Sequence, residues 1–207
     1  AGRFGTPIYG EAWAHAWRVH APSATPIPFR FGRSAVGEPL RSLYGDIARK
    51  ACRNPNPKPA AQLGEHETVV YNCPVSAGFA ATVRYYGAQA GLDLRPKGDK
   101  AYGGEIRAPH DFGDKIEWRG ASGPKGFAPR AAIVRVIIRD GDTTTSSTLA
   151  VLKVEHDRLC NAAYVNGAEP DANAVARREA DAATASFRCG RDKPRVVGKL
   201  TPGLRDI

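Results

Sequence analysis

The spacing of apolar residues changes character along the chain. In GEPLRSLYGDIARKAC, residues 37–52, Leu40, Leu43, Tyr44, Ile47, Ala48 and Ala51 recur in alternating steps of three and one. That spacing predicts an amphipathic helix, with Pro39 in its first turn and Arg41, Arg49 and Lys50 off the apolar stripe. The prolines of RNPNPKP, residues 53–59, end it and read as a linker.

From residue 67 the period is two. ETVVYNC (67–73) and FAATVRYYG (79–87) read as strands around a PVSAG turn, and AGLDLRP (90–96) as a third. In AAIVRVIIRD (131–140), Ala132, Val134, Val136 and Ile138 share one face, with Ile133, Arg135, Ile137 and Arg139 on the other. LAVLKVEH (149–156) and NAAYVNG (161–167) are further strands. EPDANAVARREADAATASF (169–187) predicts a second helix, aligning Ala172, Ala176, Ala180, Ala183 and Phe187 on one side. Residues 96–130 are rich in glycine, proline and charge. They read as a long loop holding at most one short strand, DKIEWRG, and loops of that length are often functional.

The elements add up to an α+β fold: an antiparallel sheet, two short amphipathic helices and an extended N-terminal arm. The arm is residues 1–34 and the domain 35–207, with a weak boundary expected in 96–130. Pro22, Pro26 and Pro28 make residues 21–34 read as extended chain. Trp13 and Trp17 precede that stretch; Phe29, Arg30, Phe31 and Arg33 lie in it. Aromatic and arginine side chains dominate protein interfaces, and a stiff segment loses little entropy on docking, so these six are the expected partner contacts.

Four cysteines, Cys52, Cys73, Cys160 and Cys189, are isolated and form no CxxC pair. Their even number and wide spacing predict two disulfides in an oxidising compartment. Of the three pairings, Cys52–Cys73 with Cys160–Cys189 respects the order of elements. The chain starts at Ala1 and contains no methionine, the expectation for a mature chain whose targeting segment has been removed. The expected location is the periplasm or outside the cell. No apolar run is long enough to span a membrane as a helix.

The net charge of +9 is concentrated at the ends: +6 over residues 1–60 and +3 over 191–207, with the middle neutral. Basic ends on a neutral body suit an anionic partner, whether an acidic protein surface, an anionic envelope polymer or lipid headgroups. Nucleic acid is disfavoured for an exported chain.

The densest chemistry is KVEHDRLC, residues 153–160. Alternation on a strand would place Glu155 and His156 on opposite faces, so a structural role is expected. His110, Asp111 and His156 are weak metal candidates, since no ligand spacing brings them together. No nucleophile elbow, phosphate-binding loop or dinucleotide fingerprint is present, and no cofactor is expected. The reading is a non-catalytic extracytoplasmic accessory or assembly protein that binds a larger complex through its arm and basic ends. A cell-envelope enzyme or small-ligand binder with its site in 96–130 is the second reading. It requires His110 and its acidic neighbours to line a concave pocket.

Overall fold

The computed structural model describes residues 39–58, 67–99, 105–140 and 143–200. The arm, with Trp13, Trp17, Phe29, Arg30, Phe31 and Arg33, lies outside the described residues, as does the end of the chain beyond Leu200.

The described residues form a strand-rich α+β fold with two sheets. The larger runs β1 (Arg41–Asp46), β6 (Asp111–Gly123), β7 (Gly126–Asp140), β8 (Thr143–Val154), β9 (Leu159–Asn166), β10 (Arg195–Val197). The smaller runs β2 (Thr68–Ser76), β3 (Phe79–Tyr86), β4 (Gln89–Pro96), β5 (Glu105–Ala108). All pairings are antiparallel except β9 with β10, which are parallel and joined through the helix α1 (Ala172–Ser186). The single antiparallel sheet expected from sequence is thus corrected to two sheets, one of them mixed.

Alternation explains the layering. On β7, Ala132, Val134 and Val136 face the smaller sheet and join a core with Val83, Leu92, Leu94, Ile106 and Trp118. Ala131 and Ile133 face the other way, with Leu149, Val151, Ala163 and Val165, against Ala172, Ala176 and Ala180 of α1. Alanines on that face of α1 let it approach the sheet closely, as the sequence predicts. Polar contacts reinforce the seam. Arg119 of β6 donates to both carboxylate oxygens of Asp181 at 2.8 and 2.6 Å, and Arg177 donates to Glu117 at 2.7 Å. Both predicted disulfides are present, Cys52–Cys73 and Cys160–Cys189. The second ties the start of β9 to the segment after α1.

The helix predicted over 37–52 is overturned: the described part is β1 followed by one 3-10 turn, Arg49–Ala51. Among the described residues there is one α-helix, not two. The reason is pairing. Residues 41–46 add a strand to β6, with Arg41 opposite Gly120 and Asp46 opposite Lys115. The stripe predicted to be buried does not stay together: Ile47 and Ala48 are buried, while Leu43 and Tyr44 are exposed. Gly45, a poor helix residue, is needed in the strand, because a Cβ there would stand 2.1 Å from Ser76 Oγ.

The expected loop 96–130 is also corrected. It holds β5, all of β6 and the start of β7. Its glycines and proline serve the strands. A Cβ on Gly120 would meet the Ala128 carbonyl oxygen at 2.2 Å, and Pro129 sits opposite Gly120 at a shift in register, where a strand tolerates proline.

KVEHDRLC resolves into the end of β8, a tight turn and the start of β9. The Glu155 N–H donates to the Arg158 carbonyl at 2.9 Å, closing the turn. Asp157 pairs with Arg158 at 2.8 Å, His156 is exposed and Cys160 is in its disulfide.

Candidate functional site

Four side chains that are remote in sequence meet beside the 3-10 turn: Arg49, Tyr85 of β3, Asp111 at the start of β6 and Arg139 of β7. The turn that carries Arg49 is anchored on both sides. Before it, the Ile47 and Ala48 N–H groups donate to the Asp114 carbonyl at 2.9 and 3.2 Å. After it, the Cys52–Cys73 disulfide and a two-way backbone bridge between Arg53 and Asn72, both bonds 2.8 Å, fix the chain to β2.

Arg49 sits over the ring of Tyr85, its guanidinium carbon 3.9 Å from the ring centroid. This stacking adds a cation–π attraction. Tyr71 meets Tyr85 edge-to-face, with centroids 5.9 Å apart. The Tyr85 hydroxyl donates to Asp111 Oδ1 at 2.8 Å, and the same oxygen accepts the Phe112 N–H at 2.8 Å. The other oxygen, Oδ2, faces Arg49 at 3.7 Å and Arg139 at 3.6 Å. These separations are longer than in the Arg119–Asp181 pair, whose two bonds are 2.8 and 2.6 Å. His110 enters through its Nδ1, which accepts the Arg139 N–H at 3.3 Å.

Two cavities flank Arg49 and share it with Tyr85. One, about 550 Å³, is lined by Asn54, Asn56, Lys58, Glu67 and Tyr71. The other, about 480 Å³, is lined by Lys50, Asp111, Asp114 and Arg139. They make a cleft around Arg49 whose cations, Arg49, Lys50, Lys58 and Arg139, stand among the carboxylates of Glu67, Asp111 and Asp114, with Lys58 already paired to Glu67. Three of those cations belong to the basic N-terminal stretch.

Burial pushes the Tyr85 phenol up to about 12; the bond to Asp111 adds to the rise and Arg49 opposes it. Tyr85 is therefore a hydrogen-bond donor at neutral pH and a poor base. Burial lifts Tyr164 to about 12 as well. A phenol whose pKa is raised on folding favours the folded state while it stays protonated. That preference is lost as pH rises from the unfolded value of 10.0 towards about 12. Two tyrosines are thus expected to ionise last in an absorbance titration, Tyr85→Phe removing one, with stability falling across that window. Ionisation of every tyrosine together near the ordinary value would contradict this environment.

Of the residues singled out from sequence, Asp111 lines the cleft and His110 adjoins it, while His156 sits in the β8–β9 turn. Among the described residues, no group of three or more His, Cys, Asp or Glu side chains is placed to hold a metal ion. Arg49, Tyr85 and Arg139 were not legible as a site. Each reads as an ordinary face residue of its own element, and no spacing relates positions 49, 85, 111 and 139.

The chain matches no family model, and no curated protein or solved structure matches it. No helix among the described residues is long and apolar enough to cross a membrane.

Proposed function

We propose that this protein is a non-catalytic extracytoplasmic accessory or assembly protein that holds an anionic partner in a larger complex. Its contacts are the arm residues Trp13, Trp17, Phe29, Arg30, Phe31 and Arg33 together with the basic ends of the chain. The observation that carries the reading is the anchored turn: Arg49 and Lys50 of the basic N-terminal stretch are held at a cleft by a disulfide, a backbone bridge and two hydrogen bonds to Asp114. Cations held in place lose little freedom on binding, which favours recognition of a negative surface. The two disulfides support an oxidising compartment, the periplasm or the cell exterior. Cys160 and its neighbours, engaged in a disulfide and a hairpin turn, support a structural role for the stretch richest in reactive side chains.

The test is native mass determination of the protein isolated gently from its source, with co-purifying chains identified. A discrete heteromeric complex is expected, lost when residues 1–34 are deleted. A clean monomer of 22.2 kDa would overturn the reading.

A second reading, a small-ligand binder or envelope enzyme using the 96–130 region, is favoured by one observation. Asp111, with its side chain 18% exposed, lines the concave cleft beside two arginines. The basic ends also suit binding of an anionic envelope polymer or lipid headgroups, which predicts steep loss of affinity with salt.

A further inference from the structure

We infer that a pocket at the β9–β10 end of the larger sheet takes a small amphiphilic anion, its apolar body on Tyr164 and Val196 and its charged head held by Lys193 and Lys199. This goes beyond the accessory reading above and does not rest on it. The pocket, about 630 Å³, is lined by residues of β9 and of the strap 193–200, and it shares no lining residue with the two cavities beside Arg49. Its volume is that of a small-ligand site.

Strand alternation builds the apolar floor. Val196 is the register partner of Tyr164 across the parallel β9–β10 pair, so both project from one face of the sheet. The neighbours of Val196 turn the other way: Arg195 pairs with Glu179 of α1 at 3.2 Å, and Val197 packs on the alanine layer. The face that Val196 shares carries the larger core, to which buried Tyr164 and Leu200 belong. The smaller sheet meets that face at β6 and β7. At the β10 edge Val196 stays 52% exposed, and Pro194 is exposed too. The strap is fixed at three places. Cys160–Cys189 holds the chain before it, β9 pairs with it, and the Asn166 side-chain amide donates to the Lys199 carbonyl at 2.7 Å. A ligand therefore meets a preformed wall.

The charges say which kind of ligand fits. Lys193 and Lys199 line the pocket, both are exposed, and neither ammonium makes an ion pair among the described residues. Asp192, next in sequence to Lys193, is committed to Arg188 at 2.9 Å. No carboxylate and no guanidinium stands among the described lining residues. Lysine stems lie along apolar surface while their heads stay in water, which suits an anion whose body is buried and whose head is not. An ammonium is a point charge without the planar fork that selects one head, so carboxylate, sulfate and phosphate heads form one class here. A dense polyanion or a bare anion leaves Val196, Pro194 and the Tyr164 ring without an apolar partner. A second copy of the chain would set its own lysines against these.

The test is titration of the full chain with octanoate, octyl sulfate, octanol, octyltrimethylammonium and acetate, all below micellar concentration, followed by backbone amide NMR shifts. Both amphiphilic anions are expected to bind at least about fivefold more tightly than octanol, and the ammonium more weakly than octanol. The shifts are expected around Tyr164 and in residues 193–200. Lys193→Gln and Lys199→Gln are each expected to weaken the anions by about threefold and to leave octanol unchanged. Lys125→Gln, in the β6–β7 turn, removes the same charge away from the pocket and is expected to change nothing. All three lysines are exposed, so the variants keep the fold, which thermal melts check.

Equal binding of octanol and the anions overturns the inference, as does an anion preference that survives when both pocket lysines are replaced. Shifts centred on Arg49 overturn it in favour of the cleft. Acetate bound as tightly as octanoate overturns it in favour of a bare-anion site. Binding to phosphatidylglycerol vesicles without binding of the monomeric amphiphiles overturns it in favour of a membrane surface. A heteromeric native complex without amphiphile binding would sink this inference and leave the accessory reading standing. Amphiphile binding by a native monomer would do the reverse.

Discussion

Replacing Trp118 by alanine is expected to destabilise the fold by about 3–5 kcal/mol. Trp118 is fully buried on β6, and it joins the two sheets in two ways. Its ring packs on Phe79 of β3 with centroids 4.7 Å apart, and its indole N–H donates to Ser76 Oγ of β2 at 2.9 Å. Truncation opens a cavity at the centre of the larger core and removes the donor that Ser76 serves. Trp118→Phe keeps most of the volume and loses only the N–H, so a smaller cost of about 1–2 kcal/mol is expected. Val196→Ala, at a half-exposed position, should change stability by less than about 0.5 kcal/mol. Urea unfolding with a common slope measures all three. A loss under about 1 kcal/mol for Trp118→Ala would show that the sheets are not joined there.

The second large effect is removal of the Cys160–Cys189 bridge by paired serine substitution. The bridge closes a separation of 29 residues, worth about 3–4 kcal/mol in the chain-entropy treatment. The Cys52–Cys73 bridge closes 21 and should be worth only slightly less. The two differ in what they hold. Loss of Cys160–Cys189 frees the segment after α1 and should expose the helix to protease. Loss of Cys52–Cys73 frees the turn carrying Arg49 and should weaken anion binding at the cleft beyond its effect on stability. Equal loss of binding in both double variants would show that the anchoring of Arg49 does not matter to the cleft.

The parts of this fold that could be read from sequence are those whose side chains face two distinct environments. β3 alternates Phe79, Ala81 and Val83 inward with Ala80, Thr82 and Arg84 outward, and α1 repeats alanine on one face. The disulfide pairing followed from the order of elements. The failures have one physical origin. β1 and β6 face polar ground that is itself inside the fold: Glu117 and Arg119 are buried because Arg177, Asp181 and Ser42 satisfy them across the helix seam. Charge read as solvent exposure therefore turned a strand into a loop. In residues 40–51 the opposite happened. A helical spacing of apolar residues was split between an exposed strand edge at Leu43 and Tyr44 and the buried pair Ile47 and Ala48 just after it, because pairing with β6 outweighed local periodicity. The cleft was hidden for a further reason. Its members come from four separate elements: the β1–β6 and β6–β7 pairings place Arg49, Asp111 and Arg139, while the Cys52–Cys73 bridge and the β2–β3 pairing bring in Tyr85.

The pairing of β1 with β6 also governs the order of events during synthesis. Residues 41–46 emerge early, yet their partner is 115–120, and all of the smaller sheet lies between them in the chain. Domains are made from the N-terminus, and a non-local contact cannot form until both halves exist. The smaller sheet, four strands that pair in sequence order, can assemble while β1 still waits. The strand at the head of the described chain thus closes late, and a nascent chain that is passed on before Gly120 is made is still open at that edge.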